Sequence, residues 1–228
     1  MLISLRNFHR FLVSQSLYPI LLSSLLAFGI FAGRVLYSHS WNYNNLVYNL
    51  ILAWVPYICS MVVIGLHQWH PGRWWLLLLP GVLWLVFFPN APYLVTDFYH
   101  LEWRQPVPMW YDIGMLAIFA WTGCFLAIAS LKSMQYIVNI YLSRIISWCF
   151  VGLTLGFSAL GVYMGRFLRW NSWDLLLNPK DVLADIAVRL ADPLNNLRFI
   201  GFTVMFTAIL LVFYLMIISI NRIEGPQK

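Results

Sequence analysis

The stretch FPNAPYLVTDFYHL, Phe88 to Leu101, decides how the chain reads. It closes a long apolar run, yet it carries Pro89, Asn90, Pro92, Asp97 and His100. Each proline removes a backbone donor and frees a carbonyl about one turn upstream. Non-helical backbone at membrane depth persists only where protein or a water-filled cavity satisfies it. Asn90 is therefore expected to face inward, onto the freed carbonyls or into a cavity. With helical backbone after Pro92, Asn90, Tyr93, Asp97 and His100 share one face.

The composition sets that stretch in a membrane. The 228 residues are 61% hydrophobic and 10% charged, against roughly 25% charged in soluble domains. Mean hydropathy is +0.75. So apolar a chain cannot cover a water-facing surface, and bilayer is the solvent that fits. The net charge of +6 comes from basic residues spread singly among apolar runs. That excludes a nucleic-acid-binding stripe and fits juxtamembrane placement. Cys59, Cys124 and Cys149 each fall inside an apolar run, without metal or disulfide spacing, and read as small buried residues. Most of the twelve tryptophans, Trp41, Trp69, Trp103 and Trp170 among them, sit at run ends as an interfacial belt.

Moving outward, six runs approach the ~20 residues a spanning helix needs. They cover about 17–37, 46–66, 74–96, 109–131, 144–166 and 199–220, with Lys132–Ser143 as a link between the fourth and fifth. The fold class expected is an all-α, multi-pass transmembrane helix bundle in one membrane domain. Arg6 and Arg10 precede the first run, but that run is too long for a signal-peptide core and lacks a good cleavage site, so it reads as a retained helix. Gly29/Gly33, Gly152/Gly156 and Gly161/Gly165 have GxxxG spacing, read as helix packing or as faces for a homo- or hetero-oligomer.

Between the fifth and sixth runs, Asn178 and Pro179 read as the N-cap and first residue of a surface amphipathic helix over about 179–192. Val182, Leu183, Ile186, Ala187 and Leu190 form its apolar face. Lys180, Asp181, Asp185 and Arg189 form the polar one, with Asp185 and Arg189 an i,i+4 pair. The helix should stop near Asp192, before Pro193, and should lie on the membrane surface or fold as a lid over the bundle.

Six spans put both termini on one side. Basic residues divide seven against seven between the sides, but the flanks of the first span favour a cytoplasmic N-terminus. Both termini are thus expected in the cytoplasm. Seven acidic residues, Asp97 and Asp112 among them, fall on the far side, and Glu224 alone on the terminal side. A face of mixed charge requires pairing, and pairing requires structure.

On that far side the fifth run exits through GVYMGRFLRWNSWD, Gly161 to Asp174. Tyr163, Arg166, Trp170 and Asp174 are spaced three, four and four, again one helical face. Topology then brings Asp97, His100, Asp112, Arg166, Arg169 and Asp174 to one level, with Asn171 beside them. Arg166 is expected either to snorkel or to pair with a carboxylate such as Asp97. The motifs PNAPYLVTDFYHL and GVYMGRFLRWNSWDLL resemble the bacterial membrane-protein family catalogued as domain of unknown function 1361. With the spans around them they cover roughly 74–178. The resemblance implies a multi-pass protein of a bacterial cytoplasmic membrane and assigns no catalytic residue.

Three functions remain open at this level. Arg166 and Arg169 suit a phosphate or carboxylate clamp, and Asp97 can orient His100 as a general base. Together they point to binding or processing of a lipid head group or other small anionic compound at the extracytoplasmic face. A proline-broken helix also suits a transporter or channel, although no inverted repeat is visible. The same charges equally suit a structural ion-pair network in a non-catalytic assembly subunit. Asp97 and His100 at i,i+3 offer two metal ligands, with Glu102 or Asp174 as a third, but one acid–histidine pair makes no ligand set. No metal or cofactor is expected, and membrane lipid is the expected surrounding partner.

Overall fold

The computed structural model describes residues 2–223, with side chains for 6–175 and 177–220. The Arg222 side chain, Glu224 and Lys228, all counted in the charge balance, lie outside the described residues. The described chain is helical throughout, without strands. In order come α1 (Leu2–Ser14), α2 (Leu17–Ser38) and α3 (Asn44–Trp69). A 3-10 turn, Trp74–Leu77, leads into α4 (Leu78–Phe87), α5 (Asn90–Tyr93) and a second 3-10 stretch, Leu94–His100. Then follow α6 (Met109–Tyr141), α7 (Arg144–Leu168), α8 (Asp174–Leu177), α9 (Pro179–Ala191) and α10 (Leu197–Ile223).

Among the described residues, six stretches are long and apolar enough to cross a membrane: Leu17–Ser38, Asn44–Trp69, Trp74–His100, Met109–Tyr141, Arg144–Leu168 and Leu197–Ile220. Their outer faces are apolar as well. Leu22, Ile51, Leu79 and Leu153 are each more than half exposed, an arrangement that lipid tolerates and water does not.

Two compact units divide the chain, Met1–Met134 and Gln135–Lys228. In the first, α3 packs along α4 and α5. Its core holds Leu46, Leu50, Tyr57, Trp84, Phe88, Leu94, Met115 and Phe119, all essentially inaccessible. In the second, α7 packs on α10 through Tyr163, whose ring meets Phe199 and Phe202 at 5.0 and 5.7 Å. Arg198 lies over Phe167, 4.4 Å from its centroid, and Tyr214 hydrogen-bonds Gln135 at 2.5 Å.

Three expectations change. Lys132–Ser143 is no link: α6 runs on to Tyr141. Leu131, Met134 and Ile137 continue a buried stripe at three-residue spacing while Lys132 points outward, so a single charge does not end the helix. Ahead of the first span, residues 2–16 form the amphipathic helix α1 and a corner, an element not expected from the sequence. That corner turns at Ser16, in the left-handed region with φ 60°. Of the spaced glycines, Gly33 lies under Tyr111, whose hydroxyl would stand 2.9 Å from an added Cβ, whereas Gly29, Gly152 and Gly156 face open space.

The amphipathic helix α9 starts at Pro179 and stops at Ala191, with Asn178 at its N-cap making no side-chain capping bond. Of its apolar face Val182 is buried, while Leu183 and Leu190 are more than half exposed. Asp185 holds Arg189 at 3.3 Å and accepts from the Trp170 indole N–H at 2.9 Å. That indole bond, and then Arg189, outweigh partial burial and hold the Asp185 carboxyl below the usual carboxylate range. A depressed carboxyl stabilises above its unfolded value, about 3.9, and the effect is lost as pH falls through the lower folded value. Hydrogen exchange across α9, taken relative to the pH-dependent intrinsic rate of its amides, should therefore quicken below about pH 4. Asp185→Asn should quicken it already at neutral pH. Identical profiles for the two proteins would remove Asp185 from the docking of α9.

Candidate functional site

The broken third span carries the first half of the polar groups. After α4 ends at Phe87, Asn90 folds back, and its amide donates to the Phe87 carbonyl at 3.0 Å. Asn90 thus meets a local carbonyl as expected, but not one of those a turn above Pro89 or Pro92, which are Leu85 and Phe88. Ala91 and Tyr93 recover backbone bonds to Phe88 and Pro89 at 3.2 and 3.1 Å. The break is packed shut: a Cβ at Gly123 of α6 would strike the Ala91 carbonyl oxygen and lie 2.7 Å from Leu94 Cδ1. Glycine is needed here for close approach.

Beyond Tyr93 the chain tightens into the 3-10 stretch, so the four-residue-face expectation fails as an α-helical face. Three residues per turn replace 3.6. Asp97 is 1% exposed, whereas His100 is exposed and sets its ring edge-on to Tyr99. Tyr93 is half-buried. Asp97 accepts from the Asn49 amide of α3 at 3.0 Å, a partner 48 residues earlier that no local pattern in the sequence marks.

Asp112 is committed to Arg34. The guanidinium of Arg34, near the end of α2, donates from Nε to Asp112 Oδ1 at 2.7 Å and from Nη2 to Oδ2 at 3.2 Å, with both side chains 1% exposed. This is a two-point, charge-assisted pair. Like Arg166, Arg34 is a cation set directly in apolar sequence, FAGRVLY, and it pairs with a carboxylate of the first unit's core.

Tyr43 organises the rest. It is buried and sits in the left-handed region, φ 68°, ahead of α3. Its ring lies 4.8 Å from the Arg34 guanidinium carbon and 4.9 Å from that of Arg104. Its hydroxyl donates to the Glu102 carbonyl at 3.4 Å and accepts from the Glu102 N–H at 3.3 Å. Arg104 in turn binds the Glu102 carboxylate at 3.0 Å and is one-third exposed. One donor is left over: Arg34 Nη1 is buried and has no acceptor among the described residues.

In the second unit α7 ends at Leu168, and Arg169 caps it in the left-handed region, φ 63°. The helical spacing from Tyr163 therefore does not reach Trp170 or Asp174, a correction to the single face expected. Arg166 is half-buried and Arg169 exposed. Asn171 donates its backbone N–H (2.7 Å) and side-chain amide (3.3 Å) to Asp174 Oδ2. That turn opens α8, so Asn171 and Asp174 have a local structural task.

The family profile described as "Protein of unknown function (DUF1361)" matches residues 48–213, well over half of the chain. The protein belongs to the DUF1361 family. Neither a curated protein nor a solved structure matches it. Within this DUF1361 chain the matched segment holds Asn49, the broken span, Asp97, Arg104 and Asp112, together with Arg166, Arg169, Asn171 and Asp174. Arg34 and Tyr43 precede it. The first unit of the DUF1361 protein thus presents a buried two-point ion pair with one guanidinium nitrogen left over, a buried carboxylate that accepts from the Asn49 amide, and an aromatic ring serving two guanidiniums. Such a set can hold an oxyanion by its spare N–H groups.

Proposed function

We propose that this DUF1361 protein binds a small anionic group, either a lipid head group or a free phosphate or carboxylate. The place is the end of the first unit where Arg34, Tyr43, Asp97, Arg104 and Asp112 gather. With both termini in the cytoplasm, that end faces the extracytoplasmic leaflet. The observation that carries the reading is the orphaned Arg34 Nη1 donor. Leaving a buried donor unmade costs about 1–3 kcal/mol, more when it is charged, so an acceptor oxygen is called for there. Arg104, sharing the Tyr43 ring and partly exposed, offers the approaching anion a second guanidinium. The closure of the proline break by Gly123 favours binding over passage through the third span.

The direct, fully buried Arg34–Asp112 pair favours a second reading, in which the network only fixes helix packing. Mass spectrometry of lipids and small molecules co-purifying with the full-length protein separates the two. The proteins compared are wild type, Arg104→Gln and the double variant Arg34→Met/Asp112→Leu. The binding reading expects an anionic species with wild type that both variants lose. An anionic set that is unchanged across all three proteins, with no species lost from either variant, supports the packing reading instead.

A further inference from the structure

At the opposite end of α3 a groove of about 900 Å³ opens between that helix and α1. We infer that it holds the acyl chain of an anionic phospholipid, drawn from the leaflet on the side of the termini. Phe8 and Phe11 form one wall, and Ile58, Met61 and Leu66 are among the side chains of the other. Its size suits a small-molecule pocket, commonly ~300–1,000 Å³. In contact with a membrane, hydrocarbon is the filling that such a lining favours.

The groove is built rather than incidental. The corner between α1 and α2 is pinned by Tyr57, whose hydroxyl donates to the Gln15 carbonyl at 2.8 Å, and by Ser133, which donates to the Gln15 side chain at 2.8 Å. A bond between His9 and Tyr18, also 2.8 Å, braces α1 against the start of α2. The wall at Gly65 is bare: a Cβ there would meet nothing within 4 Å.

Charge selects the head group. Asn7 and Gln68 are the polar groups of the lining. Arg10 follows Asn7 by three residues on α1 and is exposed, as is Arg6. No aspartate or glutamate occurs in residues 1–96, so neither α1 nor α3, the two walls of the groove, carries a carboxylate to offset Arg6 and Arg10. A phosphodiester at the mouth of the groove gains roughly 1 kcal/mol per nearby basic residue, or about fivefold in affinity.

The test uses full-length protein in detergent, exposed to equal amounts of phosphatidylglycerol and phosphatidylcholine and read by native mass spectrometry. Wild type should retain phosphatidylglycerol preferentially. Gly65→Phe, which fills the groove from its bare wall, should lose that adduct. Arg10→Gln should keep a lipid adduct but lower the phosphatidylglycerol preference about fivefold. Equal retention of both lipids by wild type overturns the inference, and so does an adduct unchanged in Gly65→Phe. Because none of these residues belongs to the Arg34–Asp112 network, failure here leaves the proposed anion site standing, and the reverse also holds.

Discussion

Arg34→Met should cost about 3–5 kcal/mol of stability, because it strands the Asp112 carboxylate in the core without its counter-charge. Asp112→Leu should cost a similar amount by stranding the cation. The double variant Arg34→Met/Asp112→Leu should recover most of the loss, since well-packed apolar replacements for a buried pair are often neutral or stabilising. The measurement is thermal unfolding of the detergent-solubilised protein, followed by loss of the monodisperse chromatographic peak. A double variant as unstable as the singles would mean that the guanidinium matters through Tyr43, over which it stacks at 4.8 Å, rather than through the carboxylate. A silent single variant would contradict the 1% exposure of both side chains.

Gly123→Ala sets two effects against each other. In a helix interior alanine is better than glycine by about 1 kcal/mol. Here, however, the new methyl would collide with the Ala91 carbonyl oxygen and stand 2.7 and 3.1 Å from Leu94 Cδ1 and Cβ. Leu94 is fully buried, so it has little room to retreat. Overpacking of this kind costs typically 1–3 kcal/mol, and the net expectation is destabilisation, with Gly123→Leu failing to fold. Gly114→Ala is the matched control on the same helix, since its Cβ meets nothing within 4 Å, and it should stabilise slightly. The same thermal assay reads both variants. A gain at Gly123 equal to that at Gly114 would show that the broken segment yields easily.

Hydropathy and length made the spans legible, because crossing a bilayer demands a long apolar run and little else. The role of Asn90 was legible only in part: two prolines signal carbonyls left without donors, but Phe87, the one its amide reaches, stands a turn above neither. Periodicity served less well past Tyr93 and Leu168. A 3-10 stretch and a left-handed Arg169 each change the angle per residue, and neither leaves a plain mark in residue type. Arg34 was hidden by distance, since its partner lies 78 residues away and no local pattern announces the pair. Gly123 was hidden by its surroundings: it stands outside any GxxxG spacing, and only the carbonyl it faces gives it meaning.

The separation of Arg34 from Asp112 also has a history within each molecule's birth. Synthesis runs from the N-terminus, and no acidic residue precedes Asp97. The second span and most of the third therefore add no carboxylate to the growing chain. The counter-ion of Arg34 is 78 residues behind, a delay of about 4–16 s at ~5–20 residues per second. Throughout that interval the nascent first span must keep a bare guanidinium near water, lipid phosphate or the insertion machinery. The pair that later disappears into the core can close only when α6 arrives, so the finished bundle is sealed by its fourth span.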